Sequence, residues 1–280
     1  MNKYIKNFVI YFIAIIILLF SLFPVYWMIL TSIKRYEDLL NPYLFITKIT
    51  FENYIKIISS PLTITTAINF YRCMTNSIII ALGSVILSLS ISILLGYGLA
   101  RMNFKFKRLV SNASLFVYIL PPSFLAIPFF VHMRMLGLVN SLISVILAET
   151  IFTIPFCAWI LREQFSSIPK EIEESAYIDG CGRLEVLFRI ILPLSAPTLV
   201  ATATYIFIRA WNEYQYALLL LYSKDLWTLP LFLTTFLAAD VIPWGILMAA
   251  SVLYTIPPLI FYYVTERYMI KGLIAGAVKA

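Results

Sequence analysis

Apolar runs of about twenty residues alternate with short polar stretches along the whole chain. The first, from Asn7 to Ile33, contains no charged residue. Six runs have the ~20 residues a helix needs to cross a hydrocarbon core of ~30 Å. They predict spans at about Phe8–Leu30, Cys73–Ala100, Leu109–Val131, Asn140–Leu161, Pro193–Leu221 and Gly245–Thr265. Helices are the expected form, because lipid offers no hydrogen bonds to a backbone and the alternating pattern of barrel strands is absent. The first run is longer than a signal-peptide core and no A-x-A site follows it, so it reads as a retained membrane helix, bent near Pro24. Pro121, Pro122, Pro128, Pro155, Pro257 and Pro258 also fall inside predicted spans, where each removes a backbone donor and predicts a kink.

Composition agrees with this pattern. Hydrophobic residues make up 61% and charged residues 12% of the chain. That balance excludes a water-soluble fold. The prediction is one all-α integral membrane domain over residues 1–280. The basic residues orient it. With the amino terminus inside, the inner side receives Lys3, Lys6, Arg101, Lys105, Lys107, Arg108, Arg162, Lys170, Arg183, Arg189, Arg267, Lys271 and Lys279. The outer side receives Lys34, Arg35, Lys48, Lys56, Arg72, Arg134 and Lys224, most of them in or beside one long loop. Both termini are therefore expected in the cytoplasm. This bias accounts for the net charge of +7 and gives no reason to invoke nucleic acid.

One inner segment, residues 163–192, is too polar to cross a membrane. Pro169 suits the first turn of a helix, and Glu171, Glu173 and Glu174 lie near its positive end. Gly180 fits the position after the helix where a left-handed residue is needed. A second short helix should follow, with Leu184, Leu187, Phe188 and Ile191 as its apolar stripe, before Pro193 opens the next span. An interfacial helix pair lying on the inner leaflet is the plain alternative, but acids are repelled by anionic lipid, and a basic groove on a protein is the better partner.

Two outer segments are long. Residues 31–71 are mixed enough to fold locally. Tyr222–Trp244 carries Trp227, Pro230, Pro243 and Trp244 around an apolar middle, which fits either an interfacial loop or a re-entrant or protruding element. Three ionisable residues lie at membrane depth: Glu149 in the fourth span, and Arg209 and Glu213 in the fifth. Each should face protein or water, because a charge at the bilayer centre costs about 2.5–3.5 kcal/mol on insertion scales. Arg209 and Glu213 are four apart and therefore share a helix face, which allows a local ion pair. They are read either as bundle-stabilising charges or as the lining of a polar substrate path.

Enzymatic motifs are missing. There is no G-x-x-x-x-G-K-[ST], no nucleophile elbow and no H-E-x-x-H, and the single His132 cannot build a metal cluster. Cys73, Cys157 and Cys181 lie in separate segments and read as isolated thiols. The chain is expected to be a non-catalytic subunit without a cofactor of its own.

Glu174-Ser175-Ala176, Asp179-Gly180, Ile190-x-Leu192-Pro193 and Pro197 together resemble the ATPase-docking loop of maltose-type carbohydrate ABC importer permeases. Trp211-Asn212-Glu213-Tyr214 with Ala217-Leu218 is similar to a segment of the same family, on the side of the smaller maltose permease. So are Asn76-Ser77, Gly98-Leu99-Ala100-Arg101, and the tail from Arg267-Tyr268 through Lys271-Gly272-Leu273 to Ala275-Gly276-Ala277-Val278-Lys279. The one departure is Ser175 where alanine is usual. The resemblance implies a six-transmembrane-helix type I ABC importer permease in the cell membrane. Its implied partners are a second permease, two copies of a cytoplasmic ATPase that binds ATP and Mg, and an extracytoplasmic sugar-binding protein. It implies docking through Glu173, Glu174, Ala176, Asp179, Gly180, Ile190 and Pro193, with Glu174 pairing to a basic residue of the ATPase. It further implies a tail reaching the ATPase dimer interface, a Tyr222–Trp244 segment probing the binding protein, and a sugar held mainly by the partner permease. Glu149, Arg209, Asn212 and Glu213 are the candidates for the translocation path. Alternatives are a glycerol-phosphate or polyol importer, or a stand-alone ion-coupled transporter using the membrane charges.

Overall fold

The computed structural model describes residues 3–39, 48–59, 68–105, 107, 109 and 121–277. In chain order its helices are α1 (Lys3–Ser32), α2 (Glu52–Ser59), α3 (Phe70–Arg101), α4 (Pro122–Met135), α5 (Leu142–Ser167) and α6 (Lys170–Ile178). Then follow α7 (Arg183–Leu194), α8 (Ala196–Trp211), α9 (Gln215–Leu220), α10 (Leu229–Leu237) and α11 (Trp244–Ala277). No strand occurs among the described residues. Among the described residues four helices, α1, α3, α5 and α11, are long and apolar enough to cross a membrane, and α8 makes a fifth crossing if it is counted with α7. The predicted third span is described only from Pro121 onward, apart from Leu109; the rest of its first part, like Val278 and Lys279 of the tail, lies outside the described residues.

The chain divides into two compact units: residues 1–71 with 232–256, and residues 72–231 with 257–280. In the first, α1 is apolar on every side, so its side chains find little cover within the chain and meet lipid or another membrane helix. Its end is capped from a distance, because Asn53 Nδ2 donates to Ser32 O at 2.9 Å and to Lys34 O at 3.2 Å. Gly245 packs directly on that asparagine: a Cβ there would fall 2.8 Å from Asn53 Nδ2. Phe70, Phe232 and Phe236 form an edge-to-face series with centroids 5.7 and 5.0 Å apart, the arrangement that ring quadrupoles favour.

In the second unit α5 is the central helix. Ala148, Phe152 and Val145 face one core with Ile80, Met133, Tyr216 and Leu220, while Leu161 and Phe165 face another with Tyr97, Val186, Leu187 and Ile191. Helices α3 and α5 approach closely at Gly96, where a Cβ would lie 3.0 Å from Leu161 Cβ and 3.1 Å from the Ala158 carbonyl. Helix α4 ends in a Schellman turn at Gly137, which has positive φ. Leu138 N closes that turn by donating to Met133 O at 2.9 Å.

Two boundaries differ from the sequence pattern. The fifth span starts at Ala196 instead of Pro193, because the chain turns by 83° at Ser195 between α7 and α8. It also does not continue to Leu221: α8 stops at Trp211 and α9 starts at Gln215. Asn212 and Glu213 cause the break by offering the backbone other partners. Asn212 Nδ2 donates to Ile208 O at 2.7 Å, and Glu213 Oε1 accepts from Tyr216 N at 2.5 Å.

Candidate functional site

The polar segment folds as the two short helices its prolines and glycines predict. Ile168 precedes Pro169 and is therefore held in an extended conformation, which ends α5 and lets α6 begin immediately. Helix α6 ends in a Schellman motif. Cys181 N donates to Ala176 O at 3.0 Å and Gly180 N to Tyr177 O at 3.1 Å. Gly180 itself sits at φ 88°. Left-handed backbone of this kind costs an ordinary residue about 1–2 kcal/mol. A side chain there would meet nothing of this chain within 4 Å. The glycine is required by backbone geometry, not by crowding.

The pair has a sharply divided surface. Glu173 and Ala176, three apart, face inward and are buried, while Glu171, Glu174, Ile178 and Asp179 face out. On α7, Val186, Leu187 and Ile191 enter the core, Ile190 packs beside them, and Pro193 is exposed. The expected stripe of Leu184, Leu187, Phe188 and Ile191 is thus divided. Leu184 and Phe188, one turn apart, stay 63% and 58% exposed. The cause is a π turn over Leu187–Ile191, which turns the inner face of α7 towards Val186 and Leu187. The pair therefore exposes both acids and large apolar side chains. Ser175, the departure from alanine, satisfies its own hydroxyl on Glu171 O at 2.8 Å.

Glu173 faces inward within the chain. Its Oε1 takes the Nε–H of Arg101 and its Oε2 accepts from the Tyr97 hydroxyl at 3.3 Å. Arg101 also donates from Nη2 to Ile168 O at 2.8 Å. Of the predicted docking set, Glu174, Asp179, Gly180 and Pro193 lie on the surface, whereas Glu173 and Ala176 fix the helix from behind. Sequence reading missed Tyr97 and Arg101 as contributors. An arginine at the end of a span reads only as an orientation signal. Its partner lies 72 residues away along the chain.

The second cluster lies on α5 and α8. Glu149 is fully buried and accepts from Arg209 Nε at 3.2 Å. The guanidinium stands 5.9 Å from the Phe152 ring centroid, within the reach of a cation–π attraction. The expected local pair between Arg209 and Glu213 is replaced by this one. Because α8 ends at Trp211, Glu213 lies beyond the helix and its carboxylate caps α9 instead. Asn212 is exposed beside the break, and Tyr216 donates its hydroxyl to Pro122 O at 2.8 Å, tying α9 to the start of α4.

The segment Tyr222–Trp244 is folded, with a turn at Lys224–Leu226 followed by α10. Asn76 Nδ2 donates to Asp225 O and Trp227 O, each at 2.9 Å, and Ser77 Oγ accepts from Leu229 N at 2.8 Å. These bonds give Asn76-Ser77 a structural role that the sequence left open.

The profile of the family described as "binding-protein-dependent transport system inner membrane component" matches residues 92–273. Among relatives, the diacetylchitobiose uptake system permease protein DasC of Streptomyces coelicolor is 37% identical over 268 residues, 95% of each chain. The trehalose/maltose transport system permease protein MalG of Thermococcus litoralis is 38% identical over 267 residues, 95% of this chain and 94% of its own. Among solved structures, a bacterial ABC transporter involved in import of the acidic polysaccharide alginate superposes with a TM-score of 0.79 at 23% identity, covering 95% of this chain and 97% of its own. The MetNI methionine ABC transporter gives 0.57 at 17% identity, covering 72% and 94%. These two likenesses establish the fold, that of a type I importer permease.

Proposed function

Because the chain belongs to the family of binding-protein-dependent transport system inner membrane components, we propose that it is a permease subunit of an ATP-driven sugar importer. The observation that carries this reading is the α6–α7 pair, which exposes Glu174 and Asp179 beside Ile178, Leu184 and Phe188 around a left-handed glycine turn. A surface mixing acids with large apolar groups suits a basic, partly apolar groove on a protein better than it suits lipid. The chain has no phosphate-binding loop, so ATP and Mg belong to a partner.

In this reading both termini and the α6–α7 pair lie in the cytoplasm and the spans in the plasma membrane. A second, different permease completes the path, two ATPase copies grip the docking pairs, and an extracytoplasmic binding protein delivers sugar near α10. Closure of the ATPase dimer favours the outward-open state by binding it better than the inward-open one. Asn212 and the partly exposed Arg209 face the path, while Glu149 and Glu213 hold that neighbourhood in place.

The test is uptake by proteoliposomes containing this chain, its partner permease and the ATPase, with the binding protein added outside. Labelled disaccharides of the kinds named for the relatives, and glycerol phosphate as the contrasting solute, are the probes. Uptake should need ATP and the binding protein, and Glu174→Arg or Gly180→Trp should abolish it together with ATPase association. ATP-independent uptake by this chain alone would sink the proposal and favour an ion-coupled transporter.

A further inference from the structure

The cytoplasmic reading of α6 and α7 explains where an ATPase binds, but not how its movement reaches the membrane helices. Besides its continuation through α7 into α8 and the packing of Ala176, helix α6 has two attachments to the helices before it. One is covalent, through Ile168 and Pro169 to the end of α5. The other is Arg101, the last residue of α3, whose guanidinium holds Glu173 with Nε and the Ile168 carbonyl with Nη2.

Several features make this second attachment stiff. The Arg101 and Glu173 side chains are only 10% and 6% exposed. Separating them would strand two charges away from water. The guanidinium is a planar fork, and its two contacts fix both the position and the rotation of α6 against α3. Tyr97, one turn before Arg101 on the same face of α3, bonds the other Glu173 oxygen. Its hydroxyl also lies 3.4 Å from that of Tyr177. At Gly96 the backbones of α3 and α5 are in contact, which leaves no side chain between them to take up a shift. Helix α3, the end of α5 and α6 are therefore tied together by buried contacts at Arg101, Tyr97 and Gly96.

We propose that Arg101 is a positioning residue for coupling: it transmits displacement of the docking helix to the second membrane helix, so that α3 moves with α6 during the transport cycle. This rests on the docking reading above. The Arg101 side chain is 10% exposed and lies with Glu173 on the buried side of α6, away from the face that carries Glu174. Its removal should leave docking through Glu174 in place while disconnecting α3 from the stroke.

The experiment uses the complete complex of permeases, ATPase and binding protein in proteoliposomes, and reads sugar transported per ATP hydrolysed. Arg101→Met should assemble with the ATPase but lower that ratio about 5- to 150-fold, the range that coupling between two sites usually spans. Arg101→Lys, which keeps the charge but cannot hold Glu173 and Ile168 at once, should fall between Arg101→Met and the parent. A role in stability alone would reduce the yield of complex and leave the ratio of the assembled fraction unchanged. In a Cys181→Ser background, a bismaleimide link between Tyr97→Cys and Tyr177→Cys then replaces the ion pair by a covalent tie. The link should restore the ratio in Arg101→Met, and should leave transport intact where Arg101 is present. A parent ratio in both Arg101 variants, or transport blocked by the link in the Arg101 protein, overturns the proposal. The second arm decides the matter even if Arg101→Met does not fold. Failure of the ATPase to bind the unsubstituted chain would instead defeat the docking reading, so the two are separately exposed to refutation.

Discussion

Replacing Arg209 by methionine removes the ion-pair partner of Glu149, a carboxylate that is 0% exposed on a helix at the centre of its unit. Breaking a buried pair by deleting one member costs about 3–5 kcal/mol, because the other charge is left in a medium that cannot solvate it. The two members are not equally trapped. Arg209 keeps 28% of its side chain exposed and also feels the field of Glu213, whereas Glu149 has no route to water. Glu149→Gln should therefore cost less, about 1–3 kcal/mol, the loss of one charged hydrogen bond. Glu149→Leu combined with Arg209→Met should recover most of the loss, since an apolar pair of similar volume needs no solvation. Graded unfolding by SDS in mixed micelles, followed by the fluorescence of the five tryptophans, measures all four proteins. The expected order is Arg209→Met least stable, then Glu149→Gln, then the double variant near the parent. Glu213→Gln should cost less than Arg209→Met, because glutamine can still accept from Tyr216 N and Arg209 keeps Glu149 as its ion-pair partner. If Glu149→Gln proves worse than Arg209→Met, or Glu213→Gln matches it, the assignment of the pair is wrong.

Gly180→Val should destabilise the end of α6 by about 1–2 kcal/mol, while Gly180→Asn, which tolerates positive φ, should retain ATPase co-purification. Gly96→Ala should cost about 1–3 kcal/mol in the same SDS titration, because its Cβ lands on Leu161 and the Ala158 carbonyl. Asn76→Ala removes two donations to the Asp225 and Trp227 carbonyls and should cost about 1 kcal/mol for each. Hydrogen exchange across residues 222–231 should then speed up while the Ala148–Phe152 stretch stays protected. Glu174→Arg should leave unfolding unchanged, since the side chain is exposed, yet abolish ATPase binding in a pull-down.

What was legible in the sequence was local. Span lengths follow from runs of apolar residues, and the α6–α7 pair follows from Pro169, three acids and Gly180, all within one or two turns of the structure they determine. What was not legible required knowing which helices touch. Glu173 looks like its neighbours Glu171 and Glu174, and only the position of Arg101 on α3 turns it inward. The same limit misassigned Arg209, whose partner lies 60 residues back on α5. The four-residue spacing to Glu213 held meaning only on an unbroken helix, and Asn212 ends that helix. The segment between Tyr222 and Trp244 fits an interfacial loop as well as a re-entrant or protruding element, because tryptophans and prolines bound an apolar middle. Asn76 and Ser77, 151 and 152 residues before the Trp227 and Leu229 backbone groups they bind, tie its first part to α3, a contact that no local pattern signals.

The end of α8 at Trp211 has a consequence for the bilayer itself. Its 16 residues reach roughly 24 Å, short of the ~30 Å of a hydrocarbon core. The remaining depth is crossed by a turn at Asn212–Tyr214 and the short α9, and irregular backbone at that level survives only against protein or water. The main chain at Asn212–Tyr214 therefore needs protein or water beside it, a demand that an unbroken span would not make.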